Sequence, residues 1–198
     1  MNQTERILKI LQVQAAIRPY DLRSQGISLA SLYWLVQQGK VVRAGRGIYR
    51  LPDGNVTEHH SLLLACMRTP HGVICLLSAL SFHEMGAQLP HAVWMAIDRK
   101  ARLPKTDYPA MRFVRFSGVA LTAGVEQHAL EGVTVRVYTP AKTVADCFKY
   151  RNKIGLDVAI EALRECRRLR KCAEHDLWHF AHICRVANVM KPYLEATV

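Results

Sequence analysis

The first fifty residues carry the tightest constraint on this chain, through the order of their punctuation. Prolines at 19 and 52 and glycines at 26, 39, 45 and 47 separate short apolar-periodic stretches. Thr4 is placed to cap a helix whose stripe is Ile7, Leu8, Ile10 and Leu11. Pro19 at a first helical position predicts a short helix to Gln25, with Leu22 facing inward and Gly26 ending it. Ser28 caps a third helix that runs to about Gln38 and stops at Gly39. Val41-Val42-Arg43 and Ile48-Tyr49-Arg50-Leu51 then flank the turn Ala44-Gly45-Arg46-Gly47, which predicts a hairpin. A helix, a helix–turn–helix and a basic hairpin, in that order, describe a winged helix-turn-helix.

On the third helix, Leu29, Leu32, Leu35 and Val36 share the inner face, and Ala30, Ser31, Trp34, Gln37 and Gln38 the outer one. Ser and Gln side chains can hydrogen-bond base edges, and a helix fits the major groove of duplex DNA. The expected DNA-binding set is therefore Ser28, Ser31, Trp34, Gln37, Gln38 and Lys40. Arg43, Arg46 and Arg50 of the hairpin are expected to meet phosphates or the minor groove. Charge agrees with this reading. The 198 residues carry 27 Lys+Arg against 16 Asp+Glu, a net +11. The first fifty hold eight of those cations against Glu5 and Asp21, so the excess is concentrated at the N-terminal end. The competing readings are a solvated hairpin and a Trp34 that packs on the rest of the chain.

Pro52-Asp53-Gly54-Asn55 is a turn cluster. It divides the chain into a DNA-binding domain over 1–52, a linker over 53–58 and a second domain over 59–198. The second domain reads as mixed: helices from Thr57 to before Pro70 and from Cys75 to Met85, then strands at 92–97, 111–116 and 133–138. Helices at 143–150, 156–169 and 176–190 follow. The fold class is α+β. Half of the residues are hydrophobic, enough for a core, and no apolar run approaches the roughly 20 residues of a membrane span. The N-terminus MNQTERILKI lacks a signal core, and six cysteines without a C-x-x-C pair read as reduced thiols. A cytoplasmic protein without a membrane partner is expected.

Four constellations could carry chemistry. His175, His179 and His182 share a helix face, but no committed carboxylate or thiol completes a metal site, so structural or surface histidines are the expectation. Asp98-Arg99-Lys100 has the D-x-K form of a nuclease strand end, with Glu84 the upstream candidate for a second carboxylate. Lys142 and Asp146, four apart after Thr139-Pro140, meet on the first turn of a helix. Arg164, Arg167, Arg168, Arg170 and Lys171 form a basic cluster near a helix C-terminus. Neither a nucleophile–base–acid set nor a cofactor fingerprint is evident, so no cofactor, no metal and no enzymatic activity are expected.

The pieces can also be matched together. Gly26-Ile27-Ser28, Leu35-Val36, Gly39-Lys40-Val41 and Arg46-Gly47-Ile48-Tyr49-Arg50-Leu51 resemble the N-terminal domain of AbiEi-family antitoxins. Further on, Gly72-Val73-Ile74-Cys75-Leu76-Leu77-Ser78-Ala79-Leu80 resembles their C-terminal part. So do Pro140-Ala141-Lys142-Thr143-Val144-Ala145-Asp146-Cys147-Phe148 and Asp157-Val158-Ala159-Ile160-Glu161-Ala162-Leu163. The resemblance implies an antitoxin of a type IV toxin–antitoxin system, from a bacterium or mobile element and tied to phage defence. It implies a winged helix that represses its own promoter at inverted repeats. It also implies a C-terminal domain that counteracts a nucleotidyltransferase-like toxin without a stable complex. Lys142, Asp146, Arg164, Arg167, Arg168, Arg170 and Lys171 are the expected antitoxicity surface. Two other classes compete: a metal-dependent nuclease using Asp98 and Lys100, and an adaptor in which Trp34 anchors a protein partner.

Overall fold

The computed structural model describes residues 2–54, 57–104 and 108–196. The elements are α1 (Gln3–Val13), α2 (Pro19–Ser24), α3 (Leu29–Gln37), β1 (Val42–Gly45), β2 (Ile48–Arg50) and α4 (His60–Arg68). Next come β3 (Val73–Ile74), α5 (Leu76–Phe82), β4 (Val93–Asp98), β5 (Met111–Phe116), α6 (Val119–Thr122), β6 (Val125–Leu130) and β7 (Val133–Tyr138). The chain ends on α7 (Pro140–Lys149), α8 (Arg151–Ile154), α9 (Leu156–Arg168), α10 (Glu174–Ile183) and α11 (Ala187–Ala196). The α+β class is as expected.

Contacts group the chain into two compact units. The first takes in residues 1–70, 104–109 and 128–135. The second takes in residues 71–103, 110–127 and 136–198.

The first unit is built around Ile7, Leu11, Ile17, Leu22, Ile27, Leu32, Leu35, Val41 and Tyr49, all buried. Asn2, not Thr4, caps α1: its side chain accepts from Thr4 N–H at 3.4 Å, and Glu5 reaches back to Asn2 N–H at 3.0 Å. That reciprocal box explains the difference, since Asn two residues earlier can use a Glu three positions on. As expected, Pro19 opens α2, and the Ser28 hydroxyl caps α3 by accepting from Ala30 N–H. Gly39 lies at φ +70 and closes α3: its N–H donates to Val36 C=O, and Lys40 N–H to Leu35 C=O, both at 3.0 Å. β1 and β2 pair antiparallel, with Arg43 opposite Tyr49. Ile17 adds an isolated bridge to Tyr49, its N–H donating at 2.9 Å and its carbonyl accepting at 3.0 Å.

The same unit reaches well beyond residue 52. Arg18 Nη1 donates to Met67 C=O at 3.2 Å, and Ala15 N–H donates to Glu131 C=O at 2.8 Å. Glu131 and Gly132 form the two-residue turn between β6 and β7, both at positive φ (+49 and +76), the geometry that a tight hairpin turn demands. Only glycine fits the second position, because a Cβ would collide with the Val13 carbonyl oxygen.

Five strands form one sheet in the order β5-β4-β3-β7-β6. β4 runs antiparallel to β3 and parallel to β5, and β3 runs parallel to β7. The strands expected at 92–97, 111–116 and 133–138 are present. β3 is too short to show alternation, and β6 carries Glu126, Gln127 and His128 that mask its apolar period. In the second unit, α7 lies at the centre, with eight consecutive buried residues from Ala141 to Phe148. It packs against α5, α9 and α10. Several helix boundaries differ from expectation: α4 starts at His60 rather than Thr57, and α5 ends at Phe82 rather than Met85. α7 begins at Pro140 rather than Thr143, because a proline that ends a strand is also well shaped for a first helical turn. The single helix expected over 176–190 is two. Arg185 at φ +60 ends α10: its N–H donates to His182 C=O at 3.0 Å, and Val186 N–H to Ala181 C=O at 2.8 Å. This is the closing geometry seen at Gly39, built here without a glycine, so the sequence carried no stop signal.

Candidate nucleic-acid interface

α3 presents its outer face to solvent. Leu32 and Leu35 are buried, whereas Tyr33 and Trp34 are 49% and 47% exposed. Ala30, Gln37 and Gln38 are exposed as well. Tyr33 escaped the sequence reading because it sits at the margin of the apolar stripe. Its exposure next to Trp34, on a helix whose opposite side is fully used, is the signal that could have found it.

Ser28 and Ser31 are less available than their residue types imply. Ser28 caps the helix, and Ser31 Oγ donates to Gln3 Oε1 at 3.2 Å. Gln3 Oε1 also accepts from Ser28 N–H at 3.1 Å. One side chain of α1 thus fixes the start of α3, holding the Ser31 hydroxyl and the Ser28 N–H, while the Ser28 hydroxyl is engaged by Ala30 N–H. Gln37, Gln38, Tyr33 and Trp34 make no such side-chain hydrogen bonds among the described residues.

The hairpin after α3 carries three arginines; Arg43 pairs opposite Tyr49 and Arg50 opposite Val42, at positions of alternating face. Arg46 is exposed at the turn. Arg43 Nε donates to Gly45 C=O at 3.1 Å, and Arg50 Nη1 donates to the carbonyls of Leu51 and Pro52, each at 3.1 Å. These bonds hold the guanidinium groups along the hairpin without neutralising them. Lys40 is exposed at the end of α3. An uncharged, solvent-facing helix is thus followed directly by a cationic hairpin, a combination that can set a helix in a groove and meet phosphates with the cations.

The expected antitoxicity residues do not form one surface. Lys142 and Asp146 are completely buried: Lys142 Nζ donates to both Asp146 oxygens, at 2.7 and 2.6 Å. The physical reason is the central position of α7, which leaves its first turn no solvent-facing side. Lys142 Nζ also stands over the rings of Tyr138 and Phe116, 4.1 and 4.6 Å from their centroids. Cys184 Sγ donates to Asp146 Oδ1 at 3.2 Å. Burial pushes the Asp146 carboxyl up from its ordinary value, against the opposing pull of Lys142 and its hydrogen bonds.

The five cations after residue 163 are largely engaged. Arg167 Nη1 donates to Leu194 C=O at 2.9 Å, and the guanidinium pairs with Glu174 at 3.3 Å. Arg168 pairs with Glu165 at 2.7 Å, and Lys171 with Glu84 at 3.8 Å. Arg164 and Arg170 are exposed and have no carboxylate partner among the described residues.

The remaining constellations have ordinary local roles. Asp98 accepts from Lys100 N–H at 2.7 Å at the end of β4. His175 lies 3.3 Å from Asp176, and His182 stacks near Trp178. Among the described residues, no group of three or more His, Cys, Asp or Glu is placed to hold a metal ion. No described helix is long and apolar enough to cross a membrane. None of the six cysteines is in a disulfide, and only Cys172 is not buried.

No curated protein matches the chain. Among solved structures, the fold is similar to that of the RV2827C protein from Mycobacterium tuberculosis, at 14% sequence identity and a TM-score of 0.59. The match covers 98% of this chain and 80% of that one. At that identity the likeness concerns the fold. Residues 5–52, from within α1 to just past β2, match the family of AbiEi antitoxin transcriptional regulators.

Proposed function

We propose that the chain is an antitoxin and transcriptional autorepressor of a type IV toxin–antitoxin operon. Residues 1–52 act as a winged helix that binds inverted repeats in the operon's promoter. Residues 53–58 are the linker, and 59–198 counteract a nucleotidyltransferase-like toxin without a stable complex, as a non-enzymatic cytoplasmic protein. The observation that carries the reading is the outward, uncharged face of α3 set beside an arginine hairpin, within the segment that matches the AbiEi regulators. Trp34, Gln37 and Gln38 are the reading residues, and Lys40, Arg43, Arg46 and Arg50 the phosphate-contacting ones. Ser28 and Ser31 position the helix. Arg164 and Arg170, with the exposed but carboxylate-paired Arg168 and Lys171, are the cations left to the antitoxic function.

The test uses the full chain with a reporter driven by its own promoter, and growth during expression of the toxin encoded beside it. Full-length protein represses the reporter and restores growth. Arg43→Ala/Arg46→Ala/Arg50→Ala loses repression and still restores growth. A chain that neither represses nor rescues refutes the reading.

A further inference from the structure

α3, with the sequence LASLYWLVQ, contains no charged residue. At roughly 100° per residue, Ala30, Tyr33, Trp34 and Gln37 fall within one arc about 100° wide, opposite the buried Leu32 and Leu35. Ser28 and Ser31 are committed to Ala30 N–H and to Gln3. What the arc offers a partner is therefore one methyl group, two half-exposed aromatic rings edged by a phenol hydroxyl and an indole N–H, and one free carboxamide.

In the major groove this set is selective. Guanine is read by Arg or Lys through O6 and N7, and α3 carries neither. A carboxamide both donates and accepts, so it matches adenine, which shows N7 as acceptor and N6–H as donor. Methyl and aromatic groups match the 5-methyl of thymine, the one apolar feature on a base edge in that groove. The cations lie outside the arc, on Lys40 and the hairpin, where phosphates rather than bases would meet them.

We propose that α3 selects A·T base pairs, Gln37 reading adenine and Ala30, Tyr33 and Trp34 packing on thymine methyl groups. The proposal rests on the DNA-binding reading above and deepens it by naming the bases recognised.

The experiment selects binding sites for the full-length protein from a pool of random-sequence duplexes, then measures binding to the enriched duplex and its derivatives. Enriched sites carry A·T pairs at the positions protected in the major groove. Replacing thymine there by deoxyuridine, which removes only the 5-methyl group, weakens binding about fourfold per methyl, the value of one buried carbon. Gln37→Ala weakens binding about tenfold and abolishes the adenine preference at one position, while sensitivity to deoxyuridine persists. Trp34→Ala or Tyr33→Ala does the reverse. Gln37→Glu supplies a readout that misfolding cannot imitate: a carboxylate only accepts, so the preference at that position moves from adenine to cytosine. Enriched sites with G·C at the protected positions, or indifference to deoxyuridine, overturn the proposal and leave DNA binding standing. A pool from which the protein enriches nothing overturns both.

Discussion

Lys142→Met removes the cation from a pair with no access to water. In the intact protein Nζ holds both Asp146 oxygens within 2.7 Å and faces two aromatic rings. Taking one partner from such a pair leaves an uncompensated charge in the core and costs about 3–5 kcal/mol, out of a total stability of about 5–15 kcal/mol for a typical domain. With a urea slope of about 2 kcal/mol per M, the unfolding midpoint falls by about 2 M. Lys142→Met/Asp146→Leu removes both charges and retains volume, so it recovers most of the loss and lies within about 2 kcal/mol of the parent. The pH dependence follows from Asp146. Its carboxyl is already raised by burial, and loss of Lys142 raises it further. A carboxyl with a raised folded value contributes stability that is present below its unfolded value, about 4, and lost as pH rises through the folded value. Lys142→Met is therefore more stable at pH 5 than at pH 8. Urea unfolding followed by far-UV circular dichroism at both pH values measures this. A single variant that loses less than about 1 kcal/mol, or a double variant no better than the single, refutes the reasoning.

Three further outcomes are expected. Burial acts to raise the Glu131 carboxyl, but hydrogen bonds from Thr57 and His60 outweigh it and hold the group below its ordinary value. Its stabilisation is therefore present above the usual carboxylate range and lost as pH falls below about 4, and Glu131→Gln costs about 1–3 kcal/mol at pH 7 and flattens the acid limb of a stability–pH curve. Gly132→Ala costs at least about 2 kcal/mol in urea unfolding, because positive φ and the Val13 carbonyl both oppose a Cβ. Arg164→Gln/Arg170→Asn/Lys171→Gln leaves promoter repression intact and weakens growth rescue, whereas full rescue removes that cluster from the antitoxic function.

The first unit was legible because its signals are local. Pro19, Ser28 and Gly39 act through their own backbone geometry, and the leucines of α3 repeat with the helical period. What the sequence hid there is long-range. Nothing in its local pattern ties Gln3 to Ser31, or Glu131 to Ala15, Thr57 and His60. In the second unit the strand Val133–Tyr138 was visible from alternation, whereas β3 was too short and β6 too polar. The four-residue spacing pairs Lys142 with Asp146, but the pair is buried rather than at the surface. Helical spacing says which residues meet, not whether a neighbouring helix covers them. The exposed Tyr33 and the engaged Arg167 are the same lesson seen from the two sides.

The most direct test of the account is the salt dependence of binding between the full-length protein and a duplex of its own promoter. Neutralised phosphates release counterions, so log affinity falls linearly with log salt, at about −0.9 per phosphate contact. Tight binding at low salt is expected, with a steep slope that decreases by about 1 for each of Arg43, Arg46 and Arg50 changed to alanine. No binding at low salt, or a slope unchanged when all three arginines are replaced, would contradict it.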